Sequence, residues 1–193
     1  MNETEFSFPS VEQLERELKK EQRRHGVGLF FRVVLVFLLV AAVLAVIAVL
    51  LIFPVIRISG SSMAETLEDG DIVILLNDHA YESGDVIGFH YNNSILIKRV
   101  IAVAGDWVDL SPGGDVYVNG ILLDEPYVSE KSVGDCNIKL PLQIPDGCCF
   151  VMGDQRAVSV DSRNTSLGCV SDDMVAGRLF LRIWPLEKIG AFN

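Results

Sequence analysis

Apolar residues follow two different patterns along this chain. From Val33 to Phe53, 21 consecutive residues carry no charge, proline or glycine. As a helix rising 1.5 Å per residue this run spans roughly 30 Å, the thickness of a bilayer core, so it predicts a membrane-spanning helix. A cleaved leader is the rival, but its apolar core is usually about 7 to 15 residues long and ends at small residues. Here the run ends Leu51-Ile52-Phe53-Pro54-Val55. Residues 1–32 form a polar leader, expected helical from Ser10 because Ser10-Val11-Glu12-Gln13 fits a capping box, with Gly26 and Gly28 loosening the entry to the span.

After Pro54 the pattern changes to short apolar or alternating runs. Strands are expected at Val55–Ile58, Asp71–Leu76, Asp85–His90, Ser94–Val103, Trp107–Leu110, Val116–Val118, Cys149–Met152 and Val175–Ile183. Turn chemistry separates them: Glu68-Asp69-Gly70, Ser83-Gly84, Ala104-Gly105-Asp106, Pro112-Gly113-Gly114, Asn119-Gly120 and Pro145-Asp146-Gly147. Asn119-Gly120, between Val116-Tyr117-Val118 and Ile121-Leu122-Leu123, is the strongest hairpin signal. No helical period is sustained beyond the apolar run, so the fold class is mainly β: one N-terminal transmembrane helix (33–53) followed by an all-β domain (54–193).

Charge orients the span. Lys19, Lys20, Arg23, Arg24 and Arg32 precede it and Arg57 alone follows closely, which puts the N-terminus in the cytoplasm and residues 54–193 outside. The net charge of −10 falls on that outer part, which holds ten basic and twenty acidic residues. Such a surface argues against a nucleic-acid partner. The four cysteines, Cys136, Cys148, Cys149 and Cys169, all lie there too. Either they are free thiols, or Cys136 and Cys169 each pair with one member of the Cys148-Cys149 doublet, in either arrangement. No cysteine–histidine spacing suggests zinc, and no metal or cofactor is expected.

Three segments carry candidate chemistry. Ser62 sits in Ser59-Gly60-Ser61-Ser62-Met63, a glycine-bent turn that exposes a hydroxyl. The histidines are poor partners for it, because His25 falls before the span and His79 and His90 flank turns without an acidic neighbour to orient them. Lys98 fits better. It stands in the apolar strand Ser94-Ile95-Leu96-Ile97-Lys98-Arg99-Val100-Ile101, where one of two adjacent cations must turn inward. Burial there disfavours the ammonium form and frees the amine to act as a base. The third segment, Val151 to Arg163, offers Ser159 to bond an amine and an Asp161–Arg163 fork to hold the loop.

Together these segments resemble the type I signal peptidases, membrane-bound Ser-Lys proteases. The family pattern Gly-x-Ser-Met-x-Pro-Thr-Leu appears as Gly60 to Leu67, Lys-Arg-Val-Ile-x-x-x-Gly-Asp as Lys98 to Asp106, and Gly-Asp-Asn-Arg-x-x-Ser-x-Asp-Ser-Arg as Gly153 to Arg163. Val116-Tyr117-Val118-Asn119-Gly120, Glu125-Pro126-Tyr127, Gly177-Arg178 and Trp184-Pro185-Leu186 follow it as well. The resemblance implies an all-β catalytic domain resting on the membrane, and removal of signal peptides from exported preproteins after an Ala-x-Ala-like site.

It implies Ser62 as nucleophile and Lys98 as general base, with Ser159 bonding and orienting Lys98. Asp154, Asp161 and Arg163 would hold the frame. The Ser62 N–H would help form an oxyanion hole to which Gly60, having no hydroxyl, adds no side-chain donor. Ile58, Met63 and Ile97 match positions lining shallow pockets for small side chains. Implied partners are preproteins, the lipid bilayer and the protein export machinery.

Glu65, Ala104 and Gln155 depart from the family's proline, proline and asparagine. Glu65 removes a rigid turn and adds a charge near the nucleophile, which bears on substrate preference or rate. The other reading is a non-catalytic, signal-peptidase-like assembly factor that binds a surface-protein partner. Loss of the serine or the lysine would mark that class, and both are present. A related class, self-cleaving repressor proteases, is soluble and carries a DNA-binding domain.

Overall fold

The computed structural model describes residues 11–77 and 80–192. It contains two compact units, residues 1–49 and 50–193. A helix, α1, runs Val11–Ile52 and makes up the described part of the first. Ser10, the expected cap, lies outside the described residues. Gly26 and Gly28 do not break the helix, since a glycine costs only about 1 kcal/mol against alanine in a helix interior. The stretch Phe30–Ala48 is long and apolar enough to cross a membrane, and none of it is buried within the protein. A helix that is apolar all round needs an apolar environment to surround it.

The second unit is built of strands β1 (Val55–Arg57), β2 (Ile72–Leu76), β3 (Val86–Tyr91), β4 (Ser94–Val103), β5 (Trp107–Leu110), β6 (Val116–Val118), β7 (Ile121–Leu122), β8 (Leu142–Gln143), β9 (Cys148–Met152), β10 (Val170–Ser171), β11 (Val175–Trp184) and β12 (Gly190–Ala191). Eight form one sheet in the order β1-β2-β11-β3-β4-β9-β10, with β12 added to β11. The other four form a second sheet, β7-β6-β5-β8. Each predicted strand is present to within a residue or two. β8, β10 and β12 were not foreseen, because two-residue strands are too short to show a period. Asn119 and Gly120 both take positive φ, 53° and 77°, the backbone of the tight turn that joins β6 to β7.

Three apolar clusters form the core. One, from Ile58, Met63, Leu67, Val73, Leu75 and Leu179, lies beneath the Ser62 turn. A second, around Ile87, Phe89, Val100 and Val151, fills one side of the β3-β4-β9 region, and a third, around Ile101, Val108, Phe150 and Met152, links the two sheets. All four cysteines are free thiols, so neither disulfide arrangement is present. Burial pushes the Cys149 thiol up to about 12.

Candidate active site

β1 ends at Arg57 and the chain turns away from the sheet. The turn is anchored by Ile58 N–H donating to Asp71 O at 2.8 Å and Gly70 N–H donating to Ile58 O at 3.0 Å. Gly60 takes a positive φ of 94°, open to glycine without strain, and its N–H donates to Asp69 Oδ1 at 2.8 Å. One helical turn follows, closed by Leu67 N–H donating to Met63 O at 2.7 Å, with both side chains sunk in the core. Ser62 therefore rides on a rigid turn whose neighbours are fixed by apolar burial. Its N–H has no hydrogen-bond partner among the described residues and is free to act as a donor.

On β4, Lys98 is 4% exposed, and its Nζ donates to Ser62 Oγ at 2.6 Å. Residues 36 apart in sequence thus meet. Desolvation holds the Lys98 amine below its ordinary value. The carboxylates of Asp161 and Asp154 pull it back up, and Arg163 pushes it down. His90 is exposed on β3 and does not line the groove at Ser62, while His79 lies outside the described residues. That groove, of about 230 Å³, is bordered by Ile58, Gly60, Ser62, Met63, Ile97 and Lys98 among others.

The loop after β9 presses on the Ser62 turn from behind. Gln155 N–H donates to Ser62 O at 3.1 Å, a backbone contact that asparagine would make equally well. Gly153 is required by closeness: a Cβ there would sit 2.5 Å from Ser62 O and 2.6 Å from Ser159 Cβ. The expected Asp161–Arg163 fork is present, with Arg163 Nε donating to Oδ1 and Arg163 NH2 to Oδ2, both at 2.8 Å and fully buried. Asp161 also accepts Gly153 N–H at 3.0 Å, and Arg163 donates to the carbonyls of Ser132, Val133 and Arg156.

Ser159 differs from expectation. It is buried beside Gly153, but its Oγ has no hydrogen-bond partner among the described residues, and the Lys98 amine is bonded to Ser62 instead. The Gly153 backbone fills the space against the Ser159 hydroxyl.

Several participants have partners that sequence reasoning did not connect. Asp154 accepts from Thr66 Oγ1 at 2.5 Å, Arg99 Nε at 2.9 Å and Arg99 NH2 at 2.7 Å, so one carboxylate ties together the nucleophile turn, β4 and the loop. Arg156 and Glu125 form a fully buried ion pair. Thr66, Arg99, Glu125 and Arg156 all stand in recognisable motifs, yet their pairings span 31 to 88 residues. Glu65 adopts a φ of 75°, which proline, fixed near −65°, does not take. The turn in this chain is thus built differently from one with the family's proline.

A buried amine against a serine hydroxyl on a rigid turn, beside a groove of mixed polar and apolar lining, is an arrangement with the parts that nucleophilic catalysis needs. The family described as signal peptidase, peptidase S26, matches residues 31–184. The chain belongs to this peptidase family. Among relatives, the protein named signal peptidase IB from Staphylococcus aureus is 35% identical over 152 residues, covering 68% of this chain and 78% of the relative. The signal peptidase I of Bacillus caldolyticus is 34% identical over 148 residues, covering 68% and 79%. A crystal structure of a signal peptidase I from Enterococcus faecalis is 28% identical, with a TM-score of 0.43 over 52% of this chain and 97% of that one. Membership in the signal peptidase family rests on the sequence matches.

Proposed function

We propose that this signal peptidase family member removes signal peptides from exported preproteins after small residues, using Ser62 as nucleophile and Lys98 as general base. The observation that carries the reading is the 2.6 Å contact between Lys98 Nζ and Ser62 Oγ, made by a lysine whose burial favours the neutral amine. With Nζ neutral the bond reverses, and the serine O–H donates to the amine lone pair. As Ser62 Oγ attacks the scissile carbonyl, Lys98 takes the proton and then passes it to the leaving amine. A water, deprotonated by the same amine, releases the acyl-enzyme. The unpartnered Ser62 N–H is suited to the developing oxyanion, the kind of preorganised donor worth about 3 to 4 kcal/mol. Gly60 contributes backbone shape only, its own N–H being held by Asp69.

Ile58, Met63 and Ile97 would receive the small substrate side chains; the narrow volume of the groove supports an Ala-x-Ala-like preference. Asp154, Asp161 and Arg163 hold the loop behind the nucleophile, and the unpartnered Ser159 hydroxyl makes no bond to Lys98 in this arrangement. The apolar stretch within α1 anchors the chain in the bilayer. The basic residues before it support a cytoplasmic N-terminus and a β domain outside, where the export machinery would deliver preproteins.

The test is cleavage of a preprotein carrying an Ala-x-Ala site by the full chain in detergent and lipid, beside Ser62→Ala and Lys98→Ala. Cleavage by wild type and none by the two folded variants supports the dyad. A folded wild type that cuts none of a broad preprotein panel moves the assembly-factor reading to first place. Protease added outside intact cells should digest residues 54–193 and spare the N-terminus; the reverse pattern would invert the topology.

A further inference from the structure

The loop behind Ser62 is held from a direction the proposed dyad does not use. Its contact with the nucleophile turn depends on Gly153 and Gln155 staying in place, and each neighbouring group has its own holder. Arg156 Nε donates to Gly153 O at 3.1 Å, and the Arg156 guanidinium is gripped by both oxygens of Glu125 with no solvent access. Asp154 is gripped by Arg99, whose guanidinium carbon lies 3.9 Å above the centre of the Tyr127 ring. Glu125 and Tyr127 are two residues apart on the segment that follows β7, and the Tyr127 hydroxyl reaches Glu125 Oε1 at 3.4 Å. A single segment running from the second sheet therefore backs two of the three arginines that hold the loop, Arg99 and Arg156.

A buried ion pair is not by itself a stabilising choice, since apolar residues of similar volume often serve as well. What Glu125 supplies is direction: it aims a planar guanidinium at the Gly153 carbonyl. The ring of Tyr127 likewise packs over the Arg99 guanidinium, whose NH1 also donates to Gly84 O at 2.8 Å, and so helps to hold it on Asp154.

We propose that Glu125 and Tyr127 are positioning residues: they set the 153–155 loop against the carbonyl of Ser62 and so fix the serine for attack. This rests on the peptidase reading for its catalytic consequence, though not for the clamp itself.

The experiment compares the full-length protein in detergent with Tyr127→Leu, Tyr127→Phe and Glu125→Gln. Amide hydrogen exchange is followed over residues 153–157, and kcat and KM are measured on a preprotein. Tyr127→Leu should speed exchange at Gln155 and lower kcat, each about tenfold, with KM within twofold, the size expected from one cation–ring contact. Tyr127→Phe keeps the ring and should restore both to near wild type. Lys98 is faced by Asp161, Asp154 and Arg163, so a looser Arg99 leaves the Asp154 carboxylate less neutralised. The acid limb of the rate profile should then move to higher pH in Tyr127→Leu, a change that mere loss of folded protein does not produce. Glu125→Gln should act in the same direction; if it fails to fold, the Tyr127 pair still decides.

Unchanged exchange at Gln155 in Tyr127→Leu overturns the proposal, as does a loss confined to KM or a phenylalanine variant no better than leucine. Exchange is read without substrate. The clamp is therefore judged even if the Ser62 and Lys98 variants still cut and the dyad reading falls.

Discussion

Gly153→Ala perturbs the proposed site through one methyl group. The added Cβ would lie 2.5 Å from the Ser62 carbonyl oxygen and 2.6 Å from Ser159 Cβ, and it would overlap the Ser159 hydroxyl. Ordinary contact begins near 3.4 Å, so one partner must move by about 1 Å. Ser159 cannot retreat freely, being buried in a loop pinned by the Asp161–Arg163 fork. The Ser62 carbonyl gives way instead, breaking the Gln155 bond and carrying Ser62 Oγ off the Lys98 amine. A misplacement of about 1 Å at a reacting centre costs on the order of 100-fold in rate, whereas overpacking of this size costs about 1–3 kcal/mol in stability. The assay is preprotein cleavage in detergent and lipid, with kcat and KM determined separately and folding checked by circular dichroism. We expect kcat to fall about 100-fold with KM little changed. A folded Gly153→Ala within threefold of wild-type kcat would refute the packing argument.

The lowered affinity of Lys98 for its proton predicts that cleavage rises with pH until the amine is neutral, and a rate flat from about pH 6 to 10 with chemistry limiting would contradict it. Lys98→Arg, charged at every accessible pH, should lose at least about 100-fold in kcat. Because the unfolded chain binds that proton more tightly, Lys98 makes the fold gain stability as pH climbs toward 10.5, and Lys98→Met should abolish this rise in denaturant midpoint. Asp161→Asn leaves the fully buried Arg163 without its carboxylate and should cost about 3–5 kcal/mol by denaturant titration. Glu65→Pro should destabilise the chain by more than about 1 kcal/mol, because a φ of 75° excludes proline, while Glu65→Gly should not; equal denaturant midpoints for the two would count against the turn described.

Local pattern carried the sequence reading a long way. The unbroken apolar run from Val33, the alternating stretches of β2 to β5, and the positive-φ turn at Asn119-Gly120 are effects of nearest neighbours, so they are written where they act. The inward turn of Lys98 was legible for the same reason: two adjacent cations on one strand cannot face the same way. Asp161 and Arg163 were legible as a pair because a single residue, Ser162, separates them. The glycine-bent serine and its ordered companions were enough to point to the family.

What only the tertiary structure decided are contacts between segments far apart in the chain. Asp154 with Thr66 and Arg99, Glu125 with Arg156, and Lys98 with Ser62 join residues 31 to 88 positions apart. No local rule selects one distant partner from several of equal chemistry; sheet register and core packing do. Ser159 shows the same limit from the other side, since its hydroxyl was expected on Lys98 and instead lies against Gly153, where the approach of the loop leaves it unpaired. The sequence determined which groups were available and which faces were apolar, because those follow from residue type and period. The fold determined which groups meet, because that depends on how separate strands dock.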